Sequence, residues 1–363
     1  MLKLEYPITC VWEITMACNM RCKHCGSSCE HSLPDELSTE EALEFVDMCK
    51  DMNLSWVNLS GGEPLTRKDI FEIAQKLESY NIGVNIITNG WLIDDLMIDK
   101  LKKISSLRIA ISLDGTKELH DFIRKEGAFD HAVNALKKLH KSGISTACIT
   151  TITKKNIDKL DEIYKILLDC NVEAWQLQIG LPMGNLENHK DWVIEPSEVH
   201  QIIDFCHKTS NENKIYIYPA DCIGYYDKKL DEIYRKSFGQ NTDCNWDGCH
   251  AGVRSFGILH NGDILGCTSI RDKKFVEGNI RERSLRDIWF DEKSFSWRRN
   301  FNKNCLKGAC LKCKHAEECL GGCFNTRISV NKDIFSENQY CVYNQFLKNH
   351  DHTRKIYNKN PYK

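Results

Sequence analysis

The sequence of 363 residues contains no long apolar stretch and carries almost no net charge. No run approaches the roughly 18 apolar residues that a membrane span needs. Residues 1–11 (MLKLEYPITCV) lack the basic segment and following apolar run of a secretory signal. The net charge of −2 does not indicate the positively charged surface that nucleic-acid-binding proteins carry. We therefore expect a cytoplasmic protein that binds neither a membrane nor nucleic acid.

Cysteine, by contrast, is abundant, with 19 residues. Reducing conditions inside cells keep thiols available as metal ligands, so cysteine-rich spacing in an intracellular chain favours metal sites over disulfides. Eleven of the cysteines fall into three groups whose spacings match iron–sulfur ligation. The cysteine spacing therefore predicts metal centres, whatever the fold.

The first group, Cys18-x3-Cys22-x2-Cys25, supplies only three thiolates. A four-iron cluster held by three cysteines has one open iron, whereas an electron carrier closes all positions with protein ligands. Because an open metal position is where a substrate or cofactor binds, this group indicates an oxygen-sensitive catalyst. A structural zinc site is the alternative, but it would need a fourth protein ligand.

Residues 7–181 alternate short β-branched runs with longer amphipathic ones, the pattern of repeated βα units with a parallel sheet. Ser38 and Glu41 have the spacing of a capping box, which predicts a helix start. We predict an α/β fold in which a partial, TIM-like (β/α)6 barrel precedes a small cysteine-rich domain. The predicted strands are residues 8–14, 56–59, 84–88, 107–113, 146–153 and 174–181.

The predicted domain organisation has four parts. The barrel takes residues 1–182, a bridging region takes residues 183–240, and the cysteine-rich domain takes residues 241–345. Residues 346–363 are polar and charged, so we interpret them as a solvated helix end or a disordered tail.

Four polar or glycine-rich loops follow consecutive predicted strands. In barrels of this kind, chemistry gathers on the loops after the strand C-termini, so we expect these loops to meet on one face. Asn89 is equally consistent with a turn residue, and Ser112 and Asp114 could shape a turn. The loops carry the three-cysteine group, Gly61-Gly62-Glu63-Pro64, Thr88-Asn89-Gly90 and Ser112-Leu113-Asp114-Gly115.

The three cysteines, His24 before the last of them and the Gly61-Gly62-Glu63-Pro64 motif resemble the radical S-adenosylmethionine (SAM) superfamily. The resemblance implies that SAM chelates the open iron of a [4Fe–4S] cluster and is cleaved to a 5′-deoxyadenosyl radical, which takes a hydrogen atom from the substrate. Paired glycines permit a close backbone approach to a ligand. The implied cofactor contacts are His24, Gly61, Gly62, Glu63 at the methionine ammonium, Ser112 at the ribose and Arg124 at the methionine carboxylate, which its planar fork can bind.

The C-terminal third carries Cys249-x12-Gly262-x4-Cys267, Cys310-x2-Cys313-x5-Cys319-x3-Cys323 and Cys341. This spacing is similar to that of the SPASM domain, which implies two auxiliary [4Fe–4S] clusters; Cys244 supplies the eighth thiolate that they require. Zinc at each dense Cys-x2-Cys pair is the alternative, and Cys305 could replace a neighbouring ligand. By resemblance, the inner cluster takes Cys244, Cys249, Cys267 and Cys323, and the outer cluster takes Cys310, Cys313, Cys319 and Cys341.

Polar residues near the presumed entrance are candidate acids or bases, although each is more consistent with a structural role. Cys222, in the bridging region, is open to two interpretations, as a small buried hydrophobe or as a catalytic thiol. The candidate acids and bases are Tyr216, Asp221, Tyr225, His250 and Arg271.

Auxiliary clusters imply that a substrate radical can lose its extra electron, for a net two-electron oxidation. We predict an enzyme that oxidatively modifies a ribosomally synthesised peptide, by a thioether or C–C crosslink or by dehydrogenation, with a flavodoxin or ferredoxin as electron donor. The alternatives are sulfatase-maturase-like protein oxidation and small-molecule dehydrogenation. From other classes, an iron–sulfur electron-transfer protein and a zinc-stabilised binding module stay open.

Two departures from relatives narrow this prediction. Sulfatase-maturing enzymes carry an aspartate directly after the cysteine that matches Cys267, whereas this chain has Thr268, which disfavours that alternative. Many peptide-modifying relatives begin with a leader-binding module, yet only seventeen residues precede Cys18. We therefore expect the peptide to be held by the barrel mouth, the bridging region or a separate leader-binding protein.

Overall fold

The computed structural model describes residues 5–239 and 246–345. Cys244 and the predicted tail at residues 346–363 lie outside the described residues. The described strands form one sheet of ten strands in the order β10-β9-β8-β1-β2-β3-β4-β5-β6-β7. All neighbours from β8 to β7 pair in parallel, while β8, β9 and β10 pair antiparallel. The parallel α/β architecture is therefore confirmed.

The strands are β1 Thr9–Thr15, β2 Trp56–Gly61, β3 Gly83–Thr88, β4 Leu107–Ser112, β5 Ser145–Ile152, β6 Ala174–Ile179, β7 Tyr216–Pro219, β8 Ser255–Ile258, β9 Asp263–Leu265 and β10 Val276–Asn279. The α-helices are α1 Thr39–Asp51, α2 Ile70–Ser79, α3 Asp95–Leu101, α4 Lys117–Ile123, α5 Ala128–Lys141, α6 Leu160–Asp169, α7 Val199–Ser210, α8 Lys228–Phe238, α9 Leu285–Phe290, α10 Ser296–Arg299, α11 Gly308–Leu311, α12 Ala316–Cys319 and α13 Phe324–Asn331.

Local sequence signals explain the first helix. The Ser38 hydroxyl accepts a hydrogen bond from the Glu41 amide at 3.2 Å, and the Glu41 carboxylate accepts one from the Ser38 amide at 2.8 Å. This confirms the capping box. The apolar stripe of α1 then packs on the sheet, where Phe45 meets Trp12 edge to face with ring centroids 4.8 Å apart.

Strand β5 shows how the sheet divides its two faces. Thr146, Cys148, Thr150 and Ile152 are buried, whereas the residues between them are only partly buried. Thr150 is polar, but its hydroxyl donates to the Leu113 carbonyl at 2.6 Å and is therefore satisfied. The opposite face of the strand opens on an internal cavity.

The six predicted strands are all present, but two further parallel strands were missed. Strand β7 extends the sheet beyond β6, and β8, from the cysteine-rich region, pairs with β1 at the other side. Each has four residues, too few for an alternating pattern to stand out. The sheet thus runs from the barrel into the cysteine-rich region, while the predicted domain boundaries stay predictions.

In the described ranges, no helix combines the length and the apolar character needed to cross a membrane.

Gly61 and Gly62 allow the end of β2 to lie directly against the chain that follows β1. The Gly62 amide donates to the Thr15 carbonyl and the Glu63 amide donates to the Ala17 carbonyl, both at 2.8 Å. A Cβ atom on Gly62 would overlap the Ala17 carbonyl oxygen. The glycines therefore permit a close approach between two backbone segments, one of which leads into Cys18.

We predict that Gly62→Ala lowers the melting temperature more than Gly143→Ala does. The first change forces backbone apart, at a cost of about 1–3 kcal/mol or more. Gly143 has a φ of +72° but open space around it, so alanine there costs only about 1–2 kcal/mol of backbone strain. Thermal melting of both variants tests this, and an equal or smaller loss for Gly62→Ala would contradict it.

Candidate functional site

The carboxyl ends of the parallel strands surround a cavity of about 630 Å³. Its near wall includes Cys18, Cys22 and Cys25, and its far wall includes Cys249, Cys267 and Cys323. Ser112, Arg124, His24, Gly61 and Gly62 also line it. The structure therefore brings the first predicted cysteine group and three of the four predicted inner cysteines to one space.

The three-cysteine loop is held from several directions. The Cys18 amide donates to the Glu30 carbonyl at 3.1 Å, and the Cys25 carbonyl accepts from the Asn185 amide at 2.8 Å. The Asn185 side chain also donates to the Cys22 carbonyl at 2.9 Å. Asn185, which follows β6, was not among the predicted site residues because its contact with the loop spans most of the barrel.

Glu63 lies behind the cavity wall and is fully buried. Its carboxylate accepts hydrogen bonds from the Thr88 hydroxyl at 2.7 Å and from the amides of Asn89 and Leu65 at 2.8 and 3.1 Å. Burial raises the pKa of Glu63, although these hydrogen bonds act to lower it. In this arrangement the side chain joins β2 to β3, and its predicted contact with the methionine ammonium stays a prediction.

Asp114 is the electrostatic centre of the near wall and has no exposed surface. One carboxylate oxygen, Oδ2, accepts from Arg124 Nε at 2.5 Å and lies 2.9 Å from His24 Nε2. The other accepts from the Thr151 amide at 2.9 Å. Burial would raise the pKa of Asp114, but Arg124 and His24 hold it well below its usual value. Asp114 is therefore a structural anion. From the sequence we inferred only that it could shape a turn.

Asp114 positions two of the residues predicted to contact the cofactor, Arg124 and His24. Arg124 Nη1 lies 3.9 Å from the Cys22 sulfur, so its positive charge stands beside the predicted cluster. Burial opposes that charge, but Asp114 and Cys22 raise the pKa of Arg124 above its ordinary value. The guanidinium thus remains a cation at the cavity wall, as a carboxylate-binding residue must.

His120 supports the same anion from behind. Its Nδ1 accepts a hydrogen bond from the Asp114 amide at 3.0 Å, which requires the neutral ring. Burial, reinforced by Arg124, lowers the pKa of His120 to about 3. A neutral histidine on α4 therefore holds the backbone of the loop that carries Asp114.

The cysteines of the third constellation separate into two groups in space. Cys310, Cys313, Cys319 and Cys341 surround a small second cavity, while Cys249, Cys267 and Cys323 line the large one. The two groups match the inner and outer sets of the sequence analysis, apart from Cys244, which lies outside the described residues. Seven of the eight predicted auxiliary ligands therefore line one of the two cavities.

The environment of these thiols fits a bound cluster. Burial raises the pKa of Cys249 and of Cys341 to about 12 each. Each would therefore stay a neutral thiol at pH 7 unless a metal stabilised the thiolate. Asn344 also donates to the Cys310 sulfur at 3.4 Å, a contact of the kind that orients a ligand.

Other cysteines take different positions. Cys305 packs in the apolar core of the cysteine-rich region and does not line the small cavity. Cys222 lines the large cavity, where its sulfur accepts from the Ile179 amide at 3.3 Å. Cys29 also lines it, and its thiol donates to the Met16 sulfur at 3.8 Å. The sequence offered a signal for Cys29 in its spacing of four residues from Cys25, but we predicted no role for it.

The candidate acids and bases divide between the cavity and its surroundings. Asp221, His250 and Arg271 line the cavity. Tyr216 is exposed on the surface, and Tyr225 is buried with its hydroxyl donating to the Asp221 carbonyl at 2.7 Å. Sequence reasoning missed Glu13, a buried carboxylate on β1 that lines the cavity and pairs with Arg271. An acidic residue in a strand gives no signal of its own.

Two family models match the chain. The Radical SAM superfamily model matches residues 12–167, the part that holds β1–β5 and the three-cysteine loop. The chain belongs to the radical SAM superfamily. A second model, the iron–sulfur cluster-binding SPASM domain, matches residues 249–314. These two families imply SAM and [4Fe–4S] clusters as cofactors, so this radical SAM enzyme is a SPASM-domain member.

Curated relatives cover nearly the whole chain. The AdoMet-dependent heme synthase of Methanosarcina barkeri is 29% identical over 93% of this chain and 97% of its own. The mycofactocin maturase MftC of Mycolicibacterium smegmatis is 29% identical over 93% of this chain and 83% of its own.

Solved structures share the fold. Streptococcus suis SuiB bound to SAM matches with a TM-score of 0.73 at 18% identity, over 93% of this chain and 77% of its own. The enzyme anSMEcpe with bound AdoMet and the Cp18Cys peptide matches with a TM-score of 0.73 at 19% identity, over 98% of this chain and 100% of its own. At these identities the likeness establishes the architecture alone.

We predict that the melting temperature of the wild-type protein falls faster on acidification below pH 6.5 than that of His120→Gln. The ordinary pKa of histidine is about 6.5, and the folded value is about 3. Between these values the unfolded chain binds the proton and the folded chain does not. Stability from this residue is therefore present above about pH 6.5 and falls by up to about 1.4 kcal/mol per pH unit below it.

Thermal melting between about pH 6.5 and about pH 5 measures this difference. Glutamine keeps an acceptor for the Asp114 amide. His140→Gln, which removes an exposed histidine, should follow the wild type. An equally steep fall in His120→Gln would show that the neutral ring does not contribute.

We also predict that reconstituted protein holds about twelve irons and that the Cys18/Cys22/Cys25→Ala variant holds about eight, as three four-iron clusters require. Cys29→Ala, which removes a cysteine outside the predicted ligand set from the same loop, should keep about twelve. Iron and sulfide assays on anaerobically purified protein measure this. An unchanged iron content in the triple variant would remove the first cluster from those cysteines.

Proposed function

We propose that this radical SAM/SPASM enzyme oxidatively modifies a ribosomally synthesised peptide, by a thioether or C–C crosslink or by dehydrogenation. The observation that carries the proposal is the single cavity between the three-cysteine loop and the inner auxiliary cysteines. A substrate in that space lies between a site that starts radical chemistry and a site that can accept an electron. An electron-transfer protein would need no such cavity.

The residues fit specific roles in this proposal. Cys18, Cys22 and Cys25 would hold the first cluster, to which SAM would bind. When bound, SAM and the reduced cluster supply the 5′-deoxyadenosyl radical that takes a hydrogen atom from the substrate. Arg124 binds the methionine carboxylate, and Asp114 fixes both Arg124 and His24 at the wall. The remaining contacts that we propose for the cofactor are Gly61, Gly62, Glu63 and Ser112.

The eight auxiliary thiolates fit two closed clusters. We assign to the inner one Cys249, Cys267 and Cys323, which line the far wall, together with Cys244, which lies outside the described residues. The outer one takes Cys310, Cys313, Cys319 and Cys341. Closed clusters bind no substrate through iron, so their function is to accept electrons or to hold the region together.

The substrate class rests on the relatives and on the cavity wall. MftC is a maturase, and a SuiB structure contains the precursor peptide SuiA. Polar side chains on the strand ends suit the amide groups of an extended peptide, which need hydrogen-bond partners once buried. These side chains are Thr151, Gln176, Gln178 and Tyr218.

Oxidation of a small molecule is the second candidate. The heme synthase relative matches over as much of the chain as MftC does, so a tetrapyrrole is the small-molecule substrate to test. A flavodoxin or ferredoxin as electron donor, a separate leader-binding protein and a cytoplasmic location complete the proposal.

We predict that anaerobic incubation with SAM, a strong reductant and a short peptide encoded beside the gene yields 5′-deoxyadenosine and a peptide lighter by two hydrogens. Intact-mass measurement, followed by fragmentation, would locate the crosslink or double bond. The Cys18/Cys22/Cys25→Ala variant is the control and should form neither product. Deoxyadenosine with unchanged peptide mass, in heavy water as well, would contradict the proposal, and a mass change in an added tetrapyrrole would replace it.

A further inference from the structure

An oxidation that removes two hydrogens needs a group that accepts a proton. If the substrate gives up one hydrogen as an atom, the second leaves as a proton and one electron stays behind. A base within hydrogen-bond reach accelerates such a transfer by about 10²–10⁴-fold. The cavity should therefore hold a basic side chain that is not committed to another partner.

Two carboxylates line the cavity among the residues that the structure describes, Glu13 and Asp221. Glu13 is paired with Arg271 and also accepts a hydrogen bond from the Ser27 hydroxyl at 3.1 Å. The cavity histidines are committed too, since His24 binds Asp114 and His250 lies 3.0 Å from Asp247. Asp221 has no ion pair within the described ranges. It is the carboxylate that remains available.

Asp221 occupies a fixed place between the barrel and the inner cysteines. It follows β7, and its carbonyl accepts a hydrogen bond from the Tyr225 hydroxyl at 2.7 Å. The same hydroxyl accepts from the Cys323 amide at 2.8 Å. One hydroxyl therefore links the backbone of Asp221 to that of a predicted cluster ligand. Asp221 lines the cavity and is an exposed residue there.

Tyr218, on β7 and three residues before Asp221, lies beside it. Its side chain also lines the cavity. Burial, with Asp221 next, raises the pKa of Tyr218 well above its ordinary value. The tyrosine thus stays protonated beside the carboxylate.

We propose that Asp221 is the proton acceptor in substrate oxidation; this rests on the proposed function. The substrate loses one hydrogen atom to the 5′-deoxyadenosyl radical, which becomes 5′-deoxyadenosine. It loses a proton to a carboxylate oxygen of Asp221 as its new bond forms, and the remaining electron passes to an oxidised iron–sulfur centre. The substrate is oxidised by two electrons, and the proton later leaves Asp221 for solvent.

Several charged or titratable groups face Asp221 and bear on its pH dependence. These groups include His250, Asp247 and Tyr218. Cys267 and Cys323 face it from the far wall. Because only the carboxylate accepts a proton, product formation should fall at low pH.

The test compares Asp221→Asn and Asp221→Glu with the wild type and with Asp204→Asn, a control that removes an exposed carboxylate on α7. In Asp221→Asn, the oxidised peptide should fall about a hundredfold or more while 5′-deoxyadenosine still forms. Iron content and peptide affinity should match those of the wild type. Asp221→Glu should restore product with a pH profile displaced from that of the wild type.

Three outcomes would overturn the role of Asp221. One is undiminished product in Asp221→Asn, and another is loss of iron or of peptide binding in that variant, which would mean a structural role. The third is an Asp221→Glu variant whose restored activity keeps the wild-type pH profile. A wild-type enzyme that leaves the peptide unchanged would instead refute the proposed function.

Discussion

The ion pairs of Asp114 are the constraint on which the near wall of the cavity depends. A fully buried carboxylate is costly unless charged partners and hydrogen bonds surround it. Asp114 has both, because Arg124 and His24 share one oxygen and the Thr151 amide binds the other. Removing one partner of such a pair typically costs about 3–5 kcal/mol. The same carboxylate thus stabilises the barrel and sets the cation beside Cys22.

Backbone contacts bring the loops together before any cofactor binds. Gly62 allows the end of β2 to reach the segment before Cys18, and Asn185 attaches that loop to the chain after β6. Glu63 joins β2 to β3 from behind. Each of these contacts joins two parts of the wall, so the cysteine loop is held by the strands on both of its sides. A preorganised loop loses less entropy when the cluster forms.

The sequence was most informative where chemistry requires a fixed spacing. Cysteine spacing predicted two groups of auxiliary ligands, and seven of those eight cysteines line two cavities, while their role as ligands stays a prediction. Strong βα alternation predicted six strands. It was least informative where contacts span long separations. Asn185 meets Cys22 across 163 residues, and Glu13 meets Arg271 across 258. The short strands β7 and β8 were missed for the related reason that tertiary pairing, not local pattern, makes them strands.

The sheet explains why one cavity can serve two kinds of metal site. Strand β8 pairs with β1, whose end leads to Cys18, and it belongs to the region that carries the auxiliary cysteines. Strand β7, at the other side of the sheet, leads to Asp221 and Cys222. Because parallel strands present their carboxyl ends to the same side, these two added strands bring the cysteine-rich region and the bridging region to the mouth of the barrel. A substrate held there would lie among the three-cysteine loop, Asp221 and the inner auxiliary cysteines without leaving the cavity.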